Sequence, residues 1–209
     1  MKRNFWTKLG LLSLACGLFL TAPAAIINAD DTTITKSSTA TLELDSSDAK
    51  LSLDAVPSFT FEKVKTGDIL SGQTLTASLS DNNKVTVTDT RLDAKDWQLT
   101  VTPTAFTNNS KTNNGKKIAG TLSLTPGDFD FTDNSHAPAD GWEWKDTSLT
   151  LPGNEIEVAS SNGDQEGQAS ATISAATFKT TSHNALASGT YTSTLTWDLT
   201  GTPDTSASE

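Results

Sequence analysis

The chain has two imidazoles with which to do acid–base chemistry, His136 and His183. Each lies in a polar stretch, and Ser and Asp are abundant in the chain. A hydrolytic triad needs a nucleophile, a base and an orienting carboxylate, and here the neighbours are so abundant that proximity singles out no constellation. Both histidines are expected as exposed loop residues, and no catalytic residue is assigned. The run Asp128-Phe129-Asp130-Phe131-Thr132-Asp133-Asn134 offers oxygen ligands of the kind Ca²⁺ takes, but it lacks the glycine and closing glutamate of an EF-hand loop. Extended, it puts Phe129 and Phe131 on one face and the aspartates on the other. A strand with one wet face is therefore the favoured reading, and no metal or cofactor is expected. Trp142-Glu143-Trp144 is a different case. Two indoles at i and i+2 of a strand share a face, and a flat aromatic surface suits the apolar face of a sugar. Trp142 and Trp144 are thus a possible glycan platform, with a pair of rings capping the core as the alternative.

Two further segments repeat a pattern, Trp97-Gln98-Leu99-Thr100-Val101 and Leu195-Thr196-Trp197-Asp198-Leu199. In each the Trp and the Leu two places on must face one way and the residue between them the other. Spacing alone licenses a half-buried strand carrying one bulky ring. The elements that would position these residues are strands as well. Alternation marks 41–44, 58–62, 74–79, 84–88, 97–102, 118–125, 148–151, 155–159, 169–175 and 191–200, with clusters such as Asp81-Asn82-Asn83, Pro152-Gly153-Asn154 and Asn162-Gly163-Asp164 between them. Asn and Gly accept left-handed backbone and Pro fixes φ, so these clusters end strands. No window holds a sustained helical period. Together with the Thr excess, which favours strands, this predicts an all-β antiparallel β-sandwich, immunoglobulin-like or related, or a barrel. The stretch 126–146, long, acidic and aromatic, is expected as an elaborated loop on one end.

Composition narrows the function. Of 209 residues, 25 are acidic and 15 basic, a formal charge of −10. An acidic chain is repelled by phosphate backbones, which argues against nucleic acid as a partner. The single Cys, Cys16, rules out a disulfide framework. Lys2, Arg3 and Lys8 precede the short apolar run 9–20 and then small residues, the pattern of a secretory signal peptide, with cleavage favoured after Ala29. Cys16 lies inside the apolar run, which disfavours lipidation. Residues 1–29 hold three basic and no acidic residues, so the mature chain keeps 12 positive against 25 negative charges, or −13. The later sequence has no run of about twenty apolar residues, so no membrane span is expected. The remaining organisation reads as a flexible Thr/Ser-rich arm over 30–40, one β domain over 41–203 and a polar tail over 204–209.

The ordered motifs resemble the WxL-domain surface proteins of low-GC Gram-positive bacteria. Val56-Pro57-Ser58-Phe59-Thr60-Phe61 resembles the early segment of that family. Val87-Thr88-Asp89-Thr90-Arg91 ahead of Trp97-Gln98-Leu99 resembles its distal motif, and Tyr191 through Leu199, then Pro203, its C-terminal one. Leu92 stands where a Gly is common, which touches only the turn after Arg91. The resemblance implies a secreted protein on the extracellular cell surface, attached without a covalent bond to the cell wall through peptidoglycan. It also implies company in a surface complex, with WxL-interacting and other surface proteins as partners. By motif position it ties Trp97, Leu99, Trp197 and Leu199 to wall attachment. The alternatives are a subunit that mainly binds a partner protein or an external polysaccharide, and a secreted carbohydrate-active enzyme. Charge constrains the mechanism: a mature chain of −13 cannot use a basic patch on an anionic wall, so short-range stacking and hydrogen bonds, a partner protein, or a bridging cation must serve.

Overall fold

A computed structural model describes residues 37–201, apart from 46, 93–95, 113–114, 133–137, 164 and 184 and the side chains of 182 and 183. The leader 1–29 with Cys16, most of the 30–40 arm, Asp133, Asn134, His136 and the 204–209 tail lie outside the described residues. The chain divides into two compact units, Met1–Glu43 and Leu44–Glu209. In the first, residues 37–43 form no strand and are exposed. The second holds β1 (Leu51–Ala55), β2 (Thr60–Phe61), α1 (Thr66–Leu70), β3 (Thr74–Ser78), β4 (Lys84–Asp89), β5 (Trp97–Pro103), β6 (Phe106–Asn108) and β7 (Lys117–Pro126). It continues with β8 (Asp130–Phe131), β9 (Trp142–Trp144), β10 (Ser148–Leu151), β11 (Ile156–Ser161), β12 (Gly167–His183), β13 (Tyr191–Thr192) and β14 (Leu195–Gly201).

The fold is all-β and antiparallel, with two sandwich-like sheets. The larger has ten strands and is organised around β12, which pairs β4 along 167–172 and β7 along 173–183. Strand β8 also pairs Ala169 and Ser170, and β3 also pairs 177–179, so β12 has strand partners on both edges at those two places. Its ladder changes hands at a bulge after Ile173. There Asn83, 4% exposed, donates its side-chain N–H to the Ile173 carbonyl at 2.8 Å, while Ile173 N–H donates to the Asn83 carbonyl at 2.9 Å. The smaller sheet runs β14-β5-β11-β9. Between the two lie Val85, Val87, Ala169, Ala171 and Ile173 of the larger and Leu99, Val101, Val158 and Ala159 of the smaller, all sealed from solvent.

Most alternating segments become strands because their apolar positions find a second sheet to cover them. Three departures are instructive. Residues 41–44 alternate but are in no strand, and Leu42 and Leu44 are 92% and 71% exposed; alternation supplies a face, not a partner. Helix α1 was invisible because five residues are too few to show a period. The 126–146 stretch is not a plain end loop. It carries β8, which joins the large sheet, and β9, which joins the small one, and so crosses from one layer to the other.

Candidate functional site

Strands β5 and β14 are hydrogen-bonded neighbours in antiparallel register. Leu99 lies directly opposite Leu199, Trp97 opposite Gly201 and Trp197 opposite Val101. The two Trp-x-Leu patterns thus meet on one inner face, leucines paired at the centre and rings at opposite ends. Their surroundings differ. Strand β5 lies between β14 and β11, and Trp97, Leu99 and Val101 are at most 2% exposed. Strand β14 ends the sheet, and Leu195, Trp197 and Leu199 are half-buried against the core.

Trp97 belongs to an aromatic cluster. Trp142 stands perpendicular to it at 5.0 Å and Phe129 edge-on at 6.2 Å. Trp144 stacks on Phe129 at 5.3 Å. Trp142 and Trp144 do share a face, as the i, i+2 spacing requires, and that face is turned inward. Trp142 is 5% exposed and donates to the Gln165 carbonyl; Trp144 is half-buried and donates to the Gly127 carbonyl at 3.0 Å. Glu143 points the other way and is exposed. Trp97 keeps its indole N–H buried without a hydrogen-bond partner, so its contribution is packing.

Polar groups hold the first motif in place. Arg91 sits on Asp89 through two parallel hydrogen bonds, Nε to Oδ1 at 2.9 Å and Nη2 to Oδ2 at 2.8 Å, with both side chains at least nine-tenths buried. The same Nη2 reaches the Asp96 carbonyl, one residue before Trp97, at 3.1 Å. A planar guanidinium thus ties the end of β4 to the start of β5. Gly201 completes the fit: a Cβ there would lie 2.4 Å from Arg91 Nη1 and 2.5 Å from Leu51 Cδ2. The second motif is tied at its other end by Tyr191. Its hydroxyl donates to the Ala187 carbonyl at 2.9 Å and accepts from the Ala187 N–H, the geometry of a tyrosine corner.

At the Leu195 end of these two strands lies an open groove of about 680 Å³, lined mainly by Thr102, Pro103, Thr104, Pro152, Thr192 and Thr194, with Lys117 at its side. Leu195 is the residue opposite Pro103. Threonine methyls and proline rings give the groove apolar patches, and hydroxyls and backbone groups line the rest. Sequence reading missed it because its walls come from five separate segments. It also passed over the Arg91–Asp89 clamp as chemistry, although Asp89-Thr90-Arg91 was legible as a motif.

The other candidates are not gathered into this region. His183 ends β12. Asp128 and Asp130 are exposed beside the buried Phe129, and among the described residues no cluster of His, Cys, Asp or Glu has the makings of a metal site. No helix among them is long and apolar enough to cross a membrane.

A family model described as WxL domain, surface cell wall-binding, matches residues 28–203. The chain belongs to the WxL-domain family. That family is one of wall binding at the cell surface and not a family of enzymes. No curated protein matches the chain. In this WxL domain the two motifs that mark the family are cross-strand neighbours, so features about a hundred residues apart in sequence form one structural unit.

Proposed function

We propose that this WxL protein is exported by its N-terminal leader and held without covalent linkage on peptidoglycan, as a non-catalytic member of a surface complex with WxL-interacting and other surface proteins. The observation that carries the reading is the position of the threonine- and proline-lined groove at the end of the sheet formed by both family motifs. Sugar rings present apolar faces edged by hydroxyls, which match methyl and pyrrolidine surfaces edged by threonine hydroxyls. In this reading Trp97, Leu99, Trp197 and Leu199 serve attachment by fixing the two strands that end in the groove wall. Trp142 and Trp144 support the same sheet from its far side and do not form the platform. A groove contact also suits a mature charge of −13, because it works at short range.

The test is pull-down on purified peptidoglycan across a salt series. Binding that persists at raised salt, and weakens when Thr104 and Thr194 are both changed to Val without loss of the melting transition, supports the reading. Binding that collapses at moderate salt, without added chelator, contradicts it.

A further inference from the structure

Two unmatched halves of a β-ladder are exposed on this molecule. The first is β14. Among the described residues β5 is its one ladder neighbour, so its other edge presents backbone N–H and C=O groups without strand partners. Its inward residues, Leu195, Trp197 and Leu199, remain half-open, while their counterparts on β5 are sealed. The second is Thr39-Ala40-Thr41-Leu42-Glu43-Leu44. It alternates as a strand does, is exposed throughout, and shows Leu42 at 92% and Leu44 at 71% exposure. Two leucines on one side of a β-prone segment are costly to leave in water.

We propose that residues 39–44 of one copy add as a strand to the free β14 edge of a second copy, reciprocally, to form a two-fold dimer on the cell surface. The fit is specific in register. Set antiparallel with Leu42 opposite Trp197, the segment places Leu44 opposite Leu195 and the small Ala40 opposite Leu199. On the outer face Thr41 then meets Asp198, Thr39 meets Thr200 and Glu43 meets Thr196, so no two carboxylates are opposed. A slip by two residues in one direction sets Glu43 against Asp198, which disfavours that register between acidic chains. Strand addition supplies main-chain hydrogen bonds for affinity and alternate side chains for specificity. Reciprocity closes the pair and leaves neither copy with an open end. The proposed pairing ends at Leu195, beside the Thr194 wall of the groove, but dimerisation does not rest on the wall-binding reading, and the peptidoglycan binding of the dimerisation variants separates the two.

Sedimentation equilibrium on the secreted chain tests the proposal. The mass should rise with concentration from monomer to dimer. The dimer should tighten with salt, since two strongly acidic copies repel and screening relieves the repulsion. Leu42→Asp/Leu44→Asp should remain monomeric at every concentration while keeping its melting transition and its binding to peptidoglycan. Successive N–H groups of a strand point to opposite edges, so one of Asp198→Pro and Leu199→Pro removes a hydrogen bond to β5 and the other blocks only the free edge. The variant that still melts cooperatively should also be monomeric. Mixed with the Leu42→Asp/Leu44→Asp chain, which has an intact edge, it should form a one-to-one pair. If neither proline variant folds, a fluorescein-labelled peptide of residues 37–45 should bind the Leu42→Asp/Leu44→Asp chain, read by anisotropy. A parent chain that stays monomeric, a double Asp variant that dimerises like the parent, or a failure of both the mixture and the peptide to bind would overturn the proposal.

Discussion

Trp97-Gln98-Leu99 and Trp197-Asp198-Leu199 have the same spacing, pair with one another and face the same core, yet the first is sealed and the second is half-open. The difference comes from their neighbours. Strand β5 has a strand on each side, and its Trp is closed over by Trp142 and Phe129, which the 126–146 crossing delivers from between the sheets. Strand β14 has a strand on one side. A motif that recurs twice in sequence therefore does two jobs in space: one copy anchors the sheet, and the other forms its border. Conflating them would lead to the same expectation for equivalent substitutions, and the structure gives unequal ones.

The largest expected difference is between Trp97→Ala and Trp197→Ala. Emptying the sealed site removes a ring with neighbours on every side, and such a change costs about 3–5 kcal/mol. For a chain of this size the melting temperature should fall by roughly 10 °C. Trp197 already leaves part of its ring in water, so its removal should cost about 1–2 kcal/mol. Thermal unfolding followed alongside peptidoglycan retention separates the roles. Trp97→Ala should lose both together. Equal melting losses for the two variants would dissolve the comparison. Lost retention with unchanged melting for Trp197→Ala would move that ring from border to direct wall contact.

Next comes the clamp that fixes the sealed motif. Asp89→Asn leaves Arg91 buried without its carboxylate, and removing one partner of a buried pair should cost roughly 3 kcal/mol. The second motif touches the same clamp through Gly201, which lies opposite Trp97. Gly201→Ala forces a methyl group against Arg91 and Leu51. Because the guanidinium is held by Asp89, it cannot simply swing aside, so the expected cost is about 1–2 kcal/mol. Denaturant unfolding of the two single variants and the double variant checks the coupling. Once Asp89 no longer pins Arg91, Gly201→Ala should cost less, and a strictly additive double variant would show that the glycine is not fitted to the clamp.

How far all this could be read in advance depended on which physical level decided it. Period-two alternation gave strands such as β5, β7 and β10 because each apolar face meets another sheet, and that rule is local. The ordered motifs around Val56, Asp89, Trp97 and Tyr191 were enough to place the chain in its family. The direction of Trp142 and Trp144 was not legible, since i, i+2 spacing says they share a face but not whether that face looks inward. Residues 41–44 carried the same alternation as true strands and lack only a partner, which no local pattern encodes. The groove was hidden for a related reason: Thr102, Pro152 and Thr192 become neighbours only after β5, the turn following β10, and β13 are packed.

The smallest expected effect contrasts two carboxylates in place of two tryptophans. Asp89 is sealed beneath Arg91, whereas Asp54 on β1 is exposed on the outer face of the large sheet. Asp54 accepts hydrogen bonds from Thr88, from Gln168 at 3.1 Å and from Ser52 at 2.9 Å. These bonds, the Thr88 hydroxyl foremost, hold its pKa below the ordinary aspartate value, with Lys50 adding a weaker attraction. A carboxyl depressed in the folded state stabilises the fold at pH above its unfolded pKa, and that contribution disappears as pH falls through the folded value. Thr88→Val keeps the shape of the side chain and removes the main donor, so the Asp54 pKa should rise toward the ordinary value and the acid-side loss should begin at a higher pH. Carbon-detected NMR titration of the Asp54 carboxyl reads the shift directly. Near neutral pH Asp54 is ionised in the folded and the unfolded chain alike, so changing pH there should leave its contribution to melting untouched. A titration curve unchanged by Thr88→Val would show that the ladder of Ser52, Thr88 and Gln168 orders this face of the sheet without tuning its charge.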